Sequence, residues 1–220
     1  MDTIGTIGFC INSDYERPDP ELTKALYELR SPLVSDAMGR FQVMDAALRP
    51  ILDNRLIAGP AFTIKVPPHD NLLVHKSLQY VKPGDLVVID AQGDTTCAIL
   101  GDNMSFKYQK LGVAGLVIDG AIRDVAEVRE LGFQIFARGI IPNGPAKNGP
   151  GEINTPISCG GVLVRPGDLI LADDTGIVVI PQNIAGEVIE KARRKGDQEA
   201  EARRRNEAGD LSAPWVDALE

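Results

Sequence analysis

The stretch from Gly101 to Glu127 limits the fold more than any other part of the sequence. It contains a buried-looking strand, Gly115–Ile118, between two segments that read as helices. A turn carrying Asp102 opens the first helix, and a second turn delivers Arg123 and Asp124 to the next. Ligands usually bind at the carboxyl ends of strands in alternating α/β chains, because helix N-termini point outward there. We therefore predict an α/β fold with a candidate site at these two turns.

Length, charge and cysteine usage exclude several classes of protein. The chain has 220 residues, which suits one domain, and a formal net charge of −8 at pH 7. A negative field repels nucleic acid and anionic membrane surfaces, and no apolar run reaches the roughly 18 residues of a membrane span. The N-terminus has no basic leader pattern. We expect a soluble, cytoplasmic protein that binds neither nucleic acid nor membranes.

The three cysteines, Cys10, Cys97 and Cys159, stand far apart, and the chain has only two histidines. This spacing argues against a zinc cage and against a disulfide framework.

The rest of the chain predicts a helical start, a mixed sheet and a helical end. Residues 1–18 read as an irregular arm that wraps the body or moves freely. Helices are expected from Asp19 to Leu29, over 31–38, over 70–79 and over 124–131. Strands are expected over 60–66, 134–138, 157–164, 169–172 and 177–180. The loop 139–151 is read as a lid or an oligomer contact, with a disordered insertion as the alternative.

Two segments of the sequence nearly repeat each other. Val81–Asp90 and Val164–Asp173 both run from a Pro-Gly-Asp turn into an aliphatic strand. This repeated pattern predicts that two strands begin with the same kind of turn. Ten residues are too few to prove that one half of the chain is a duplicate of the other.

The C-terminal segment predicts a long charged helix, Glu187 through Arg205, broken only by Gly196. Few apolar positions follow Ala192, so we expect this helix to lie against a neighbouring subunit. Residues 208–220 are expected to form a tail beyond a single domain over 19–207.

The three charged residues of the two turns each have an ordinary and a functional interpretation. Asp124 could cap a helix or bind a hard cation such as Mg²⁺ or Mn²⁺ directly. Asp102 could likewise be a cap or a carboxylate that holds a metal-bound water. Arg123 could be an ion-pair partner or bind a carboxylate bidentately, assisted by Gly101 and the backbone N–H groups of the next two residues, Asn103 and Met104.

Three further polar residues have more ordinary interpretations. We read Glu127 as a partner of Arg123 or of the helix cap, His75 as a packing residue and Lys147 as solvated. Either His75 or Lys147 could bind the far end of a substrate.

The ordered motifs resemble one family. Asp102, twenty intervening residues, Arg123-Asp124, two more residues and Glu127 resemble the signature of the class II pyruvate aldolases. These enzymes cleave 4-hydroxy-4-methyl-2-oxoglutarate and 4-carboxy-4-hydroxy-2-oxoadipate, and their family includes the regulator of ribonuclease activity A. Similar blocks cover roughly residues 20–207 and include Val117–Asp124, Ile135–Gly139, Gly160–Val162, Pro166–Asp173 and Gly176–Pro181.

This resemblance implies a compact, swivelling (phosphohistidine-domain-like) β/β/α sandwich that forms trimers or hexamers. It implies that Asp124 binds a divalent cation, that Asp102 holds a water on it and that Arg123 binds the 2-oxo acid. A glutamate from the C-terminal helix of a neighbouring subunit would also contribute, and Glu199 fits best, with Glu201 as the alternative. The implied reaction is retro-aldol cleavage to pyruvate, with oxaloacetate decarboxylation as a second activity.

Two other readings compete with the aldolase. The ribonuclease-regulator branch keeps the fold and acts by binding a partner, without catalysis. A methyltransferase would need a glycine-rich nucleotide loop after the first strand, and the sequence has none there.

Overall fold

Runs of β-branched and aliphatic residues form one 11-stranded mixed sheet, to which a two-stranded hairpin is added. The computed structural model describes residues 2–212. The strands are β1 Thr3–Thr6, β2 Phe9–Asn12, β3 Arg49–Pro50, β4 Ile57–Lys65, β5 Leu86–Asp90, β6 Ala98–Leu100, β7 Gly115–Ile122, β8 Ile135–Ile140, β9 Gly151–Ile153, β10 Ile157–Cys159, β11 Val162–Val164, β12 Leu169–Asp173 and β13 Gly176–Ile180. The helices are α1 Pro20–Leu26, α2 Ser31–Ala37, α3 Leu72–Ser77, α4 Asp102–Lys110, α5 Val125–Leu131 and α6 Ala185–Glu207, with a short 3-10 helix at Gln182–Ile184.

The centre of the sheet consists of β4, β5, β7 and β8, which run parallel to one another. Their residues are buried on both faces, as expected for parallel strands covered on each side. Helices α3, α4 and α5 cover one face. The hairpin β10–β11 and the strands β12 and β13 cover the other, and α1, α2 and α6 pack outside β12 and β13. The predicted α/β sandwich, with its N-terminal helices and long C-terminal helix, is confirmed.

The two echoed segments form matching turns. The N–H of Lys82 donates to Asp85 at 2.9 Å, and the N–H of Arg165 donates to Asp168 at 2.8 Å. In each turn the preceding glycine has a left-handed φ, +86° at Gly84 and +90° at Gly167, which an L side chain rarely adopts. Each turn leads into a buried strand. The prediction that two strands begin with the same kind of turn is therefore confirmed.

The N-terminal arm is not irregular. Strands β1 and β2 form an antiparallel hairpin, and β2 adds to the sheet beside β9. Farther along, the Tyr15 hydroxyl donates to Asp85 at 2.8 Å, and the Arg17 guanidinium donates to both Asp85 oxygens at 2.9 Å. The arm therefore wraps the body, and the expectation of an unstructured segment is wrong for residues 3–12. The domain boundaries at 18 and 207 stay predictions.

Two details of the predicted elements are also wrong. The strand expected over 157–164 is split into β10 and β11, because Gly160 and Gly161 both have left-handed φ values and form a hairpin turn. Helix α6 runs through Gly196 without a break. A Cβ at Gly196 would lie 3.3 Å from the side chain of Leu33, so the glycine permits close packing of α2 against α6.

The first half of α6 packs on its own chain through Ala185, Val188, Ile189 and Ala192. The second half is mostly exposed, and its expected contact with a neighbouring subunit stays a prediction. Residues 208–212 continue beyond α6, whereas 213–220 of the predicted tail lie outside the described residues. Among residues 2–212, no helix has the length and apolar character needed to cross a membrane.

Candidate active site

The two predicted turns lie side by side at the carboxyl ends of β6 and β7. These strands are parallel, with Leu100 beside Ile122, and the Arg123 N–H donates to the Leu100 carbonyl at 3.1 Å. The pairing places the residues that follow each strand next to each other. The structure therefore brings Asp102 together with Arg123 and Asp124.

Asp124 occupies the N-cap position of α5 without capping the helix through its side chain. Its backbone is left-handed, with φ 55° and ψ 42°, a conformation that is uncommon for a residue with a Cβ. The carboxylate instead turns toward the neighbouring strand end. There Oδ2 lies 3.4 Å from the Asp102 backbone N and 3.4 Å from Arg123 Nε. Local strain at such a position often accompanies function, and the capping interpretation of this side chain is wrong.

Gly101 makes room for the Asp124 carboxylate. A Cβ at Gly101 would lie 2.0 Å from Asp124 Oδ2 and 3.0 Å from Arg123 Cγ. The 2.0 Å distance is far too short for a real side chain, so only glycine allows this approach of backbone to carboxylate.

Asp102 is the first residue of α4, and Gly101 holds its cap position. The Ser105 hydroxyl donates to the Gly101 carbonyl at 2.8 Å, which fixes the entry to the helix. The N–H groups of the first helical turn, including those of Asn103 and Met104, have no intrahelical acceptor. Together with the positive end of the helix dipole, they favour an anion at this position.

Arg123 projects from the same corner and remains 45% exposed. The loop 141–150 forms the wall beside it, because a Cβ at Gly144 would come within 2.7 Å of Arg123 Nη1. The loop itself is ordered. The Asn143 carbonyl accepts from the Ala98 N–H at 2.8 Å, and the Asn148 N–H donates to Asp70 at 2.6 Å. The disordered-insertion alternative is therefore wrong.

The predicted glutamates lie elsewhere within the chain. Glu199 is exposed on α6, where it lies 3.8 Å from Lys195, and Glu201 pairs with Arg204. Neither contacts the corner formed by Gly101, Asp102, Arg123 and Asp124 in the part of the chain that is described, so a role for either one requires a second copy of the chain.

Glu127 is exposed in the first turn of α5, and among residues 2–212 it has neither of its expected partners. Arg123 pairs with Asp124 instead, so our interpretation of Glu127 is wrong. His75 is half-buried on α3, and burial, followed by the charges of Lys147 and Lys107, lowers its pKa. It therefore lies near the exposed Lys147 and favours the neutral form.

The donor set at the corner suits a hard cation. It consists of carboxylate oxygens, which Mg²⁺ and Mn²⁺ prefer, and Asp124 is free of the helix cap. Within residues 2–212, no group of three or more His, Cys, Asp or Glu side chains could hold a metal ion. A cation at this corner would therefore have to complete its coordination with water and substrate, as Mg²⁺ commonly does.

Sequence reasoning missed the roles of Gly101 and Gly144 as residues that make space. Their signal was only the glycine itself, next to a predicted site residue in one case and in a long loop in the other.

Comparison with known proteins finds relatives whose sequences match most of this chain. The chain is 45% identical over 171 residues to a protein of Halalkalibacterium halodurans provisionally named 4-hydroxy-4-methyl-2-oxoglutarate aldolase, covering 77% of this chain and 81% of that one. It is 32% identical to the 4-hydroxy-4-methyl-2-oxoglutarate aldolase of Thermus thermophilus, covering 72% of this chain and 96% of the relative.

A solved structure shows the same fold. Streptomyces coelicolor RraAS2, described as an unusual member of the RNase ES inhibitor RraA protein family, superposes with a TM-score of 0.79 at 33% identity, covering 86% of this chain and 99% of the other. The RraA-like family model, described as Aldolase/RraA, matches residues 31–179, which include both turns of the candidate site. The chain therefore belongs to the RraA-like family.

Proposed function

We propose that this protein is a divalent-metal-dependent aldolase that cleaves a 4-hydroxy-2-oxo acid of the 4-hydroxy-4-methyl-2-oxoglutarate type to release pyruvate. The observation that carries the proposal is the Asp124 carboxylate. It is held in a left-handed turn, free of the helix cap and beside the Arg123 guanidinium. The names of the aldolase relatives support the same reaction class.

Arg123 would bind and orient the carboxylate of the 2-oxo acid. Its planar fork donates two parallel hydrogen bonds to a carboxylate, and the N–H groups of Asn103 and Met104 would add to the same anion site. Holding the substrate in one geometry reduces the entropic barrier to bond cleavage.

Asp124 would hold the Mg²⁺ or Mn²⁺ ion directly, and Asp102 would hold it through water. When bound, such a cation supplies Lewis-acid stabilisation of the negative charge that develops when the C3–C4 bond breaks. Asp102 would position the water that accepts the proton of the 4-hydroxyl group. Arg123 would remain beside the developing enolate and favour it electrostatically.

We further propose that Glu199 of a neighbouring copy completes the site, in a homotrimer or a homohexamer. The exposed second half of α6 is available for such a contact. Glu201 is the alternative residue.

The test is a coupled assay for pyruvate. We expect release from 4-hydroxy-4-methyl-2-oxoglutarate with Mg²⁺, and release from oxaloacetate as a second activity, because its decarboxylation produces the same enolate. A chelator should abolish both activities, and restored Mg²⁺ should recover them. Pyruvate release that is unaffected by the chelator would reject the role of the metal.

A second candidate function is partner binding without catalysis, which the likeness to the Streptomyces RNase ES inhibitor family member favours. Absence of pyruvate release from every 4-hydroxy-2-oxo acid tested, with Mg²⁺ and with Mn²⁺, would support this candidate against the aldolase.

A further inference from the structure

Four neighbouring parallel strands carry charged residues at or near their carboxyl ends, in one row across the same side of the sheet. Lys65 ends β4 and lies beside Asp90, which ends β5, and Asp90 lies beside Asp119 of β7. Arg138 of β8 continues the row, with its Nε 2.6 Å from Asp119 Oδ1. The order across the sheet is positive, negative, negative, positive. We call these four residues the charged row.

The charged row begins where the hydrophobic core stops. Two residues earlier on three of the strands, the same face carries Val88, Val117 and Phe136, which are buried in the core beneath β10 and β11. The row itself lines a cavity of about 540 Å³ together with Gln92, Gly93 and Ser158. A polar cavity at the carboxyl ends of parallel strands is a usual place for a ligand.

Half of the row is satisfied by the protein itself. The Asp119 carboxylate accepts from Arg138 and, at 2.7 Å, from the Gly160 N–H. The Arg138 guanidinium also pairs with Asp45 at 2.8 Å. These two row residues therefore form a fixed wall of the cavity.

The other half of the row makes no direct ion pair among the described residues, although the charge of Lys65 acts on Asp90 from the neighbouring strand. Within residues 2–212, neither Lys65 nor Asp90 has an ion pair closer than 4.0 Å, even though the two are neighbours across the strands. Asp90 is only 5% exposed and accepts from backbone N–H groups, including that of Gln92 at 2.9 Å. Burial raises its pKa, and this outweighs the lowering by the hydrogen bond from the Gln92 N–H and by the charge of Lys65. Such a carboxylate is more stable when a cationic group joins it.

We propose that this cavity is a second ligand site, which binds a small zwitterion of the α-amino acid class. The ligand's ammonium group would lie on Asp90 and its carboxylate on Lys65. A carboxylate and an ammonium that face one cavity, without a direct ion pair in residues 2–212, complement a ligand carrying both charges a few bonds apart. The site is separate from the proposed aldolase reaction, because Asp102, Arg123 and Asp124 do not line the cavity.

Other simple ligands fit the cavity less well. A plain anion would meet the carboxylates of Asp90 and Asp119, and Asp45 adds a third negative charge beside Arg138. A bare metal cation would need more free carboxylates, because both oxygens of Asp119 are already hydrogen-bonded.

Isothermal titration of the full chain with glycine, L-serine and L-glutamine tests the proposal. Acetate and methylammonium, which each carry only one of the two charges, are the matched half-ligands. We expect at least one of the amino acids to bind at least about tenfold more tightly than either half-ligand. Asp90→Asn and Lys65→Gln should each weaken that binding by about thirtyfold, since each removes one partner of a charge pair.

The controls separate this site from the proposed aldolase. Lys65 is exposed, so its substitution should leave the fold intact even if Asp90→Asn does not. Asp124→Asn should bind the amino acid as the wild type does. The proposal is overturned if none of the three amino acids binds more tightly than the half-ligands, or if Lys65→Gln leaves binding unchanged. Binding of Mg²⁺ or Ca²⁺ that depends on Asp90, without amino-acid binding, would overturn it as well.

Discussion

Strand β7 and the turn after it supply two aspartates, Asp119 and Asp124, that differ in exposure, backbone conformation and hydrogen bonding. The Asp119 side chain is 9% exposed, and its two oxygens accept from Arg138 and from the Gly160 backbone. The Asp124 side chain is 35% exposed and lies on a left-handed residue, and its polar contacts within residues 2–212 are both at 3.4 Å. A carboxylate that the protein has already satisfied stabilises the fold, whereas a strained and weakly bonded one remains available to a cation.

The largest expected effect is a loss of catalytic activity when Asp124 is substituted. Asp124→Asn should reduce pyruvate release by at least about a hundredfold, because the carboxylate that holds the cation is lost. Its melting temperature should not fall, since the side chain makes no cap and no short hydrogen bond. The measurement is kcat/KM in the coupled assay, together with thermal unfolding. Full activity in the folded variant would contradict the role of Asp124.

Gly101→Ala sharpens the comparison by moving Asp124 without removing it. A Cβ would fall 2.0 Å from Asp124 Oδ2, so the carboxylate must shift. A shift of about 1 Å at a reacting centre costs about a hundredfold in rate, and we expect a loss of that order in kcat/KM. The matched control is Gly186→Ala on α6, where the nearest atom to a new Cβ is 4.0 Å away. Equal activity of the two variants would show that the Gly101 contact does not position the site.

Asp119→Asn should act on stability. It leaves the Arg138 guanidinium beside a neutral group, and hydrogen bonds to charged partners contribute about 2 kcal/mol. We expect a loss of that size in the free energy of unfolding, measured with urea. Asp45→Asn removes the other, more exposed carboxylate on Arg138 and should have a smaller effect. An equal loss in both variants would contradict the importance of burial at Asp119.

The smallest expected effect is the pH dependence of Asp90. Its pKa is raised in the folded state by burial, so the folded chain retains this proton at a pH where the unfolded chain has released it. Its contribution to stability is therefore lost as the pH rises above the unfolded value of about 4. Asp90→Asn should flatten the fall of the melting temperature as the pH rises above about 4. An unchanged slope would show that Asp90 is not the group responsible.

The side-by-side position of the two turns could be predicted from the sequence. Each turn follows a short aliphatic strand and precedes a helix, so the carboxyl ends of those strands were expected to carry Asp102, Arg123 and Asp124. The matching Pro-Gly-Asp turns were also recognisable, because glycine and proline mark turns locally.

The charged row could not be predicted in the same way. Lys65, Asp90, Asp119 and Arg138 each end or follow an apolar run in the sequence, but they meet only because β4, β5, β7 and β8 are neighbours in the sheet. That order depends on tertiary packing. The N-terminal hairpin was missed because Gly5 and Gly8 interrupt its apolar pattern, and its partner strand β9 lies far away in the sequence.

The most direct test of the account is Mn²⁺ binding followed by electron paramagnetic resonance in the wild type, Asp124→Asn and Asp90→Asn. The account predicts that Mn²⁺ binds the wild type and Asp90→Asn alike and that Asp124→Asn loses this binding while remaining folded. Mn²⁺ binding by Asp124→Asn equal to that of the wild type would contradict it.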